Sequence, residues 1–123
     1  MFGLPAGVRI LLATEPADMR KGADGLGALV RRQFAEPLFS GALFVFLSAR
    51  RDRIKVLWWS AGGFVVLYTR LERGRFRRPA PRADGRLHLS PAELEALLEG
   101  IDLRRARRAR LWAPAGIDSR PDV

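Results

Sequence analysis

The amino-acid sequence predicts a small single-domain α+β fold: an antiparallel β-meander preceded by a strand and a helix, followed by a capped helix and ending in a basic, flexible tail. Three observations carry this expectation. With 123 residues, 48% of them apolar, the chain is long enough to bury one hydrophobic core without disulfides or metal. Three apolar runs, at 43–47, 54–59 and 64–71, follow one another at hairpin spacing. On both sides of these runs the apolar residues recur instead at the three-to-four-residue step of an amphipathic helix. The domain is expected over 1–103 and the tail over 104–123.

The first element is the short apolar stretch at 8–13, β-branched at Val8 and Ile10 and closed by Thr14-Glu15-Pro16, which reads as a strand and a turn. From Asp18 onward Leu26, Leu29, Val30 and Phe34 share one helical face, with Arg31, Arg32 and Gln33 opposite. Gly22, Gly25 and Gly27 weaken the first turns of that helix by roughly 1 kcal/mol each relative to Ala. Their spacing fits no dinucleotide or P-loop fingerprint.

In the meander, 48–52 and 60–63 have the lengths of hairpin loops. A loop at 60–63 pairs Trp59 with Phe64, Leu57 with Val66, Lys55 with Tyr68 and Arg53 with Arg70. Alternation then gives Ile54, Val56, Trp58, Val65 and Leu67 to an apolar core face. The other face carries Arg53, Lys55, Tyr68 and Arg70 beside Trp59 and Phe64. That face suits unstacked bases lying on aromatic rings between cations, and equally a cover formed by the first helix with the cations at its rim. Residues 74–82 are basic and Pro-punctuated, hence extended or loop-like, and 86–89 form a short strand. Ser90-Pro91-Ala92-Glu93 is a capping box with Pro at the first helical position, Leu94, Leu97, Leu98 and Ile101 are the buried stripe, and Gly100 is the stop.

The formal charge is +9 and the pI about 11.5, which points to polyanionic partners. The charge is unevenly placed. Residues 1–49 hold five basic and four acidic side chains, whereas 50–86 hold eleven basic and three acidic. From this segment Arg50, Arg51, Arg53, Lys55, Arg70, Arg73, Arg75, Arg77, Arg78 and Arg82 are the candidate phosphate contacts, joined by Arg104, Arg105, Arg107 and Arg108 of the tail. Arg pairs bidentately with phosphate and stacks on bases. Trp59, Phe64, Tyr68 and Phe76 are the candidate stacking or partner-binding side chains.

Other chemistry is poorly supplied. There is no Cys and a single His, so thiolate, disulfide and zinc-cluster chemistry lack their residues. Asp18, Asp52 and Glu72 stand in the order of a metal-binding acidic triad, but each has a simpler role at a turn or beside Arg20, Arg53 or Arg73. No Ser has the setting of an elbow nucleophile, and His88 lies among apolar neighbours. No catalytic residue, metal or cofactor is expected. No apolar run reaches the roughly 18 to 20 residues that cross a bilayer, and the N-terminus lacks the features of a signal peptide. A cytoplasmic protein without membrane contact is expected.

Several blocks in a fixed order resemble a known family: Met1-Phe2-Gly3-Leu4-Pro5, Asp18-Met19-Arg20-Lys21-Gly22, Asp24-Gly25-Leu26, Leu43-Phe44-Val45-Phe46, Asp52-Arg53-Ile54-Lys55-Val56-Leu57-Trp58-Trp59, Arg70-Leu71-Glu72-Arg73-Gly74-Arg75-Phe76 and Leu97-Leu98-Glu99-Gly100-Ile101-Asp102. Over about residues 1–103 they look like the second-reading-frame (TnpB-type) accessory protein of insertion sequences of the sixty-six family. The resemblance implies a protein encoded beside a separate, larger transposase and needed for efficient transposition. It does not extend to the much longer RNA-guided nucleases that share the short name. The chain departs from the family pattern at Leu11, Ala23, Ser60, Thr69 and Arg78; several of these are surface or packing changes, so the fold is expected to hold.

Two functions follow as expectations. One is a non-catalytic accessory factor that binds nucleic acid, DNA in the first place, through its arginines. The other is a protein-interaction module that docks on the transposase of the same element, or self-associates as a homo-oligomer, through Trp58, Trp59, Phe64 and Phe76.

Overall fold

The computed structural model describes residues 7–77 and 87–98. Its centre is a four-stranded sheet in the order β1-β2-β3-β4, built from β1 (Ile10–Leu12), β2 (Leu43–Leu47), β3 (Arg53–Ser60) and β4 (Gly63–Arg70). Strands β1 and β2 are parallel and the remaining pairs antiparallel. Helix α1 (Ala23–Gln33) is the crossover between the two parallel strands, and α2 (Pro91–Leu98) follows the sheet. The fold is a small α+β domain with a mixed sheet, in which the expected meander is β2-β3-β4.

Each face of the sheet has its own core. Ile10, Leu12, Val45, Leu47, Ile54 and Val56 meet Phe76, Leu87, Leu89, Leu94 and Leu97 on one side. On the other, Leu11, Phe44, Phe46 and Leu57 meet Leu26, Leu29, Val30 and Leu38. Strand β2 is buried at all five positions, which is why its sequence LFVFL is a continuous apolar run and not an alternating one. Phe34, at the end of α1, sets its ring edge-on to Phe44 and Phe46, with centroids 5.2 and 6.1 Å apart.

The β3–β4 register is the expected one, from Arg53 opposite Arg70 to Trp59 opposite Phe64. The loop is shorter than expected, because Ser60 and Gly63 also pair and only Ala61 and Gly62 remain between the strands. Both have positive φ, 50° and 85°, the geometry of a two-residue turn whose twist matches the strands. Val65, expected in the core, is 38% exposed, because β4 is the last strand of the sheet. The first helix begins five residues later than its expected start at Asp18. The Asp18 carboxylate accepts the amide of Arg20 at 2.9 Å, and this side-chain turn competes with helical hydrogen bonding.

The outer edge of β1 is closed by residues 87–89. The amide of Leu12 donates to the Leu87 carbonyl at 2.8 Å, and that of Leu89 to the Ile10 carbonyl at 2.9 Å. Helix α2 starts with the expected reciprocal cap: the Ser90 amide donates to Glu93 Oε1 at 2.7 Å, and the Glu93 amide to Ser90 Oγ at 3.1 Å. The expected stop at Gly100, the stripe residue Ile101 and the tail at 104–123 lie outside the described residues.

Candidate nucleic-acid interface

Two loops meet at one end of the sheet. Residues 48–52 join β2 to β3, and 71–77 leave the end of β4. They are clasped by backbone hydrogen bonds from Leu71 to the Asp52 carbonyl at 2.8 Å and from Phe76 to the Arg51 carbonyl at 2.6 Å. The first loop is braced internally: Ser48 Oγ donates to Asp52 Oδ1 at 3.2 Å and accepts the Arg53 amide at 3.1 Å. Arg51 holds a left-handed backbone, φ 61°, which points its carbonyl at Phe76.

This clasp gathers Arg50, Arg51, Arg53, Arg70, Arg73, Arg75 and Arg77 at one end of the molecule, with Asp52 and Glu72 as the acidic residues of the same segments. All but the half-buried Arg51 are exposed. Arg53 and Arg70 stand directly opposite each other across β3 and β4. The two-residue turn makes Ser60·Gly63 a hydrogen-bonded pair, so alternation places Arg53·Arg70 in the closer, non-hydrogen-bonded kind of pair. Like charges so placed repel.

Further along the same face Lys55 and Tyr68 pair, with Lys55 Nζ 5.4 Å from the ring centroid. Lys55 Nζ also donates to the Lys21 carbonyl at 2.7 Å. Lys21 therefore joins this cluster, although its position in the sequence, 34 residues before Lys55, gave no sign of it. Its stem lies against Gly25, where an added Cβ would meet Lys21 carbons at 3.0 Å. The neighbouring Arg20 is held by Asp18, with Arg20 Nη2 2.8 Å from Oδ2. The Arg20 side-chain hydrogen bonds, then its backbone amide, hold the Asp18 carboxyl well below the usual carboxylate range.

The candidate aromatic residues separate. Tyr68 is 48% exposed and belongs to the cationic region. Trp59 and Phe64 lie six residues of strand away from the arginine end, about 20 Å. There they form a triad with Phe39, with centroids 4.9 Å from Phe39 to Trp59, 5.5 Å from Phe39 to Phe64 and 4.9 Å from Trp59 to Phe64. Phe39 is 54% exposed. The middle of the face, Leu57 and Val66, is covered by α1, so the helix cover separates the cations from the aromatic triad.

Phe76 corrects the sequence expectation. It is 1% exposed and packs in the core with Leu87 and Leu94, so it offers no surface for stacking or docking. The Arg51 carbonyl fixes its backbone and turns the ring inward, leaving Arg75 and Arg77 exposed on either side. Arg78, Arg82, Arg104, Arg105, Arg107 and Arg108 lie outside the described residues.

Elsewhere, a cavity of about 470 Å³ lies beside β1, lined by Leu11, Leu12, Phe34, Leu87 and His88. Its cation Arg9 is paired with Glu36 at 2.8 Å. Among the described residues no three His, Asp or Glu side chains come together as a metal site would require, and no helix is long and apolar enough to cross a membrane.

The fold and the distribution of charge define a small α+β protein whose exposed chemistry is arginine at one end of a sheet and aromatic rings at the other. The chain belongs to the family described as IS66 Orf2 like protein, which it matches over residues 8–108. This is an insertion-sequence family, not a known catalytic one, and it gives the chain an accessory role in transposition. The chain is similar to the uncharacterized protein y4jC of Sinorhizobium fredii (strain NBRC 101917 / NGR234), 38% identical over 117 residues, which are 95% of this chain and 99% of y4jC. It is also similar to y4hO of the same strain, 36% identical over 116 residues, 93% of this chain and 98% of y4hO. No solved structure matches the chain.

Proposed function

We propose that this transposition accessory protein works without catalysing a reaction, by binding nucleic acid, DNA in the first place, through the clasped arginine end of its sheet. The observation that carries the reading is the opposed pair Arg53·Arg70. Among the described residues no carboxylate forms an ion pair with either side chain. A polyanion laid across the two loops relieves that repulsion. Arg50, Arg53, Arg70 and Arg75 take phosphates, and Tyr68, backed by Lys55, offers a ring to an unstacked base.

The test is titration of labelled insertion-sequence-end DNA at two salt concentrations. Affinity is expected to fall with a slope of about 0.9 in log salt per phosphate neutralised. Replacing Arg53 and Arg70 together by Ala should reduce that slope by about 2. Absence of binding at either salt concentration overturns the reading.

The triad of Phe39, Trp59 and Phe64 favours a second reading, docking on the transposase of the same element. Clustered aromatic rings, with Phe39 exposed and Trp59 and Phe64 half-buried, are the residue types that anchor interfaces. Co-purification of the two proteins, lost on Trp59→Ala, is the expected result.

A further inference from the structure

Strand β4 is the edge of the sheet, and no other described segment pairs with its outer side. Such edges are ordinarily protected by Pro, a charge within the strand, a bulge or a short length. β4 has none of these over its first seven residues: GFVVLYT contains no Pro and no charge, and its register with β3 is unbroken over eight pairs. The opposite edge, β1, is covered by 87–89, so the two edges of the sheet are treated differently.

Hairpin geometry determines which groups β4 offers. With Ser60·Gly63 hydrogen-bonded, Gly63, Val65, Leu67 and Thr69 direct their amides and carbonyls to β3, in agreement with the Leu71 amide reaching the Asp52 carbonyl at 2.8 Å. The amides and carbonyls of Phe64, Val66, Tyr68 and Arg70 therefore face outward. Val65 and Tyr68 are exposed, and Phe64, Val66 and Leu67 remain half-buried, whereas Ile54, Val56 and Leu57 on the adjoining strand are 0% exposed.

We infer that β4 pairs antiparallel with β4 of a second copy of this chain, about a two-fold axis at Leu67, to give a continuous eight-stranded sheet. Three features fix this register and direction. The outward groups match, because Phe64 then meets the partner's Arg70 and Val66 meets the partner's Tyr68, both as hydrogen-bonded pairs. The charges match too: Arg70 of each copy is brought over the Phe64 and Trp59 rings of the other, a cation–π arrangement of the type Lys55 and Tyr68 make within the chain. A parallel pairing would bring the two arginine ends together, whereas the antiparallel one places them at opposite ends of the joined strands. On the other face Leu67 meets its own copy, and Val65 meets the partner's Thr69.

The pairing does not rest on nucleic-acid binding, so the test is made on the full chain alone, at high salt. Sedimentation equilibrium should give twice the 13.7 kDa of the monomer. Val66→Pro removes an outward amide without removing a β3–β4 hydrogen bond, and should shift the protein to monomer. Because the chain has no Cys, single cysteines report the register. Non-hydrogen-bonded partners lie about 4.5 Å apart at Cα, within disulfide range. Leu67→Cys should give a disulfide-linked dimer on mild oxidation, and Val65→Cys alone should not, while a mixture of Val65→Cys and Thr69→Cys chains should cross-link. A monomer at all accessible concentrations overturns the inference. So does equal cross-linking of Val65→Cys and Leu67→Cys, which holds even if Val66→Pro fails to fold.

Discussion

Phe76 shows how one backbone hydrogen bond decides what a side chain does. Its segment, Arg75-Phe76-Arg77 before a Pro-rich stretch, has no apolar period to mark an inward residue. The carbonyl of Arg51, presented by a left-handed backbone, takes its amide and makes it a core residue. Phe76→Ala should therefore destabilise the fold by about 3–5 kcal/mol, the usual cost of emptying a buried aromatic site, as read from chemical denaturation. Salt-dependent DNA binding of the remaining folded fraction should change little. Asp18 makes a different prediction. Its folded pKa is depressed by Arg20, so the stability it contributes is fully present above the ordinary carboxylate value of about 3.9. That contribution is lost only as pH falls through the lower folded value. In a carbon-detected NMR titration Asp18 should stay ionised well below the ordinary carboxylate range, and Arg20→Ala should return it to that range.

Among the elements, the β3–β4 hairpin is held by a turn of unusual composition. Two-residue turns of this kind favour Asn or Gly at the first position, and here Ala61 takes a left-handed conformation with φ 50°. Ala61→Gly should relieve a Cβ clash of about 1 kcal/mol and raise the melting temperature without altering either surface. The pairing of this hairpin was legible in the sequence, because alternation of apolar and polar residues fixes register wherever one face is buried. The Ser90–Glu93 cap was legible for a similar reason, since the contact lies within four residues. The start of α1 was not, because the Asp18 turn is a side-chain event. The separation of Trp59 and Phe64 from the arginines was not legible either: alternation places them on the same face as Arg53 and Arg70 but says nothing of α1 lying between. Phe39 was missed because it sits in a loop, where no period operates, and it becomes recognisable only beside Trp59 and Phe64.

At the scale of the molecule, the strength of the charge was plain in the sequence and its geometry was not. Eleven basic residues between 50 and 86 marked a segment. The clasp between 48–52 and 71–77 turns part of that segment into one end of a sheet. Because these loops are tied by main-chain hydrogen bonds, nucleic acid would meet arginines on backbone that is already ordered, which lowers the entropy lost on binding. Thermal unfolding of the protein should accordingly shift upward with DNA by an amount set by its affinity.

The bridge from Leu11 to His88 also sets a timetable for synthesis. A nascent chain can build the hairpin and dock α1 early, but β1 stays open on one side until residues 87–89 have left the ribosome, and Phe76 has no Leu94 to pack on until after that. Contacts of such long sequence separation are slow to close. Translation halted at residue 77 should release a product with an open strand and a bare apolar face, recovered in the insoluble fraction, whereas a chain ending at residue 103 should be recovered in the supernatant. Termination before residues 87–89 would thus yield aggregate and not a smaller working protein.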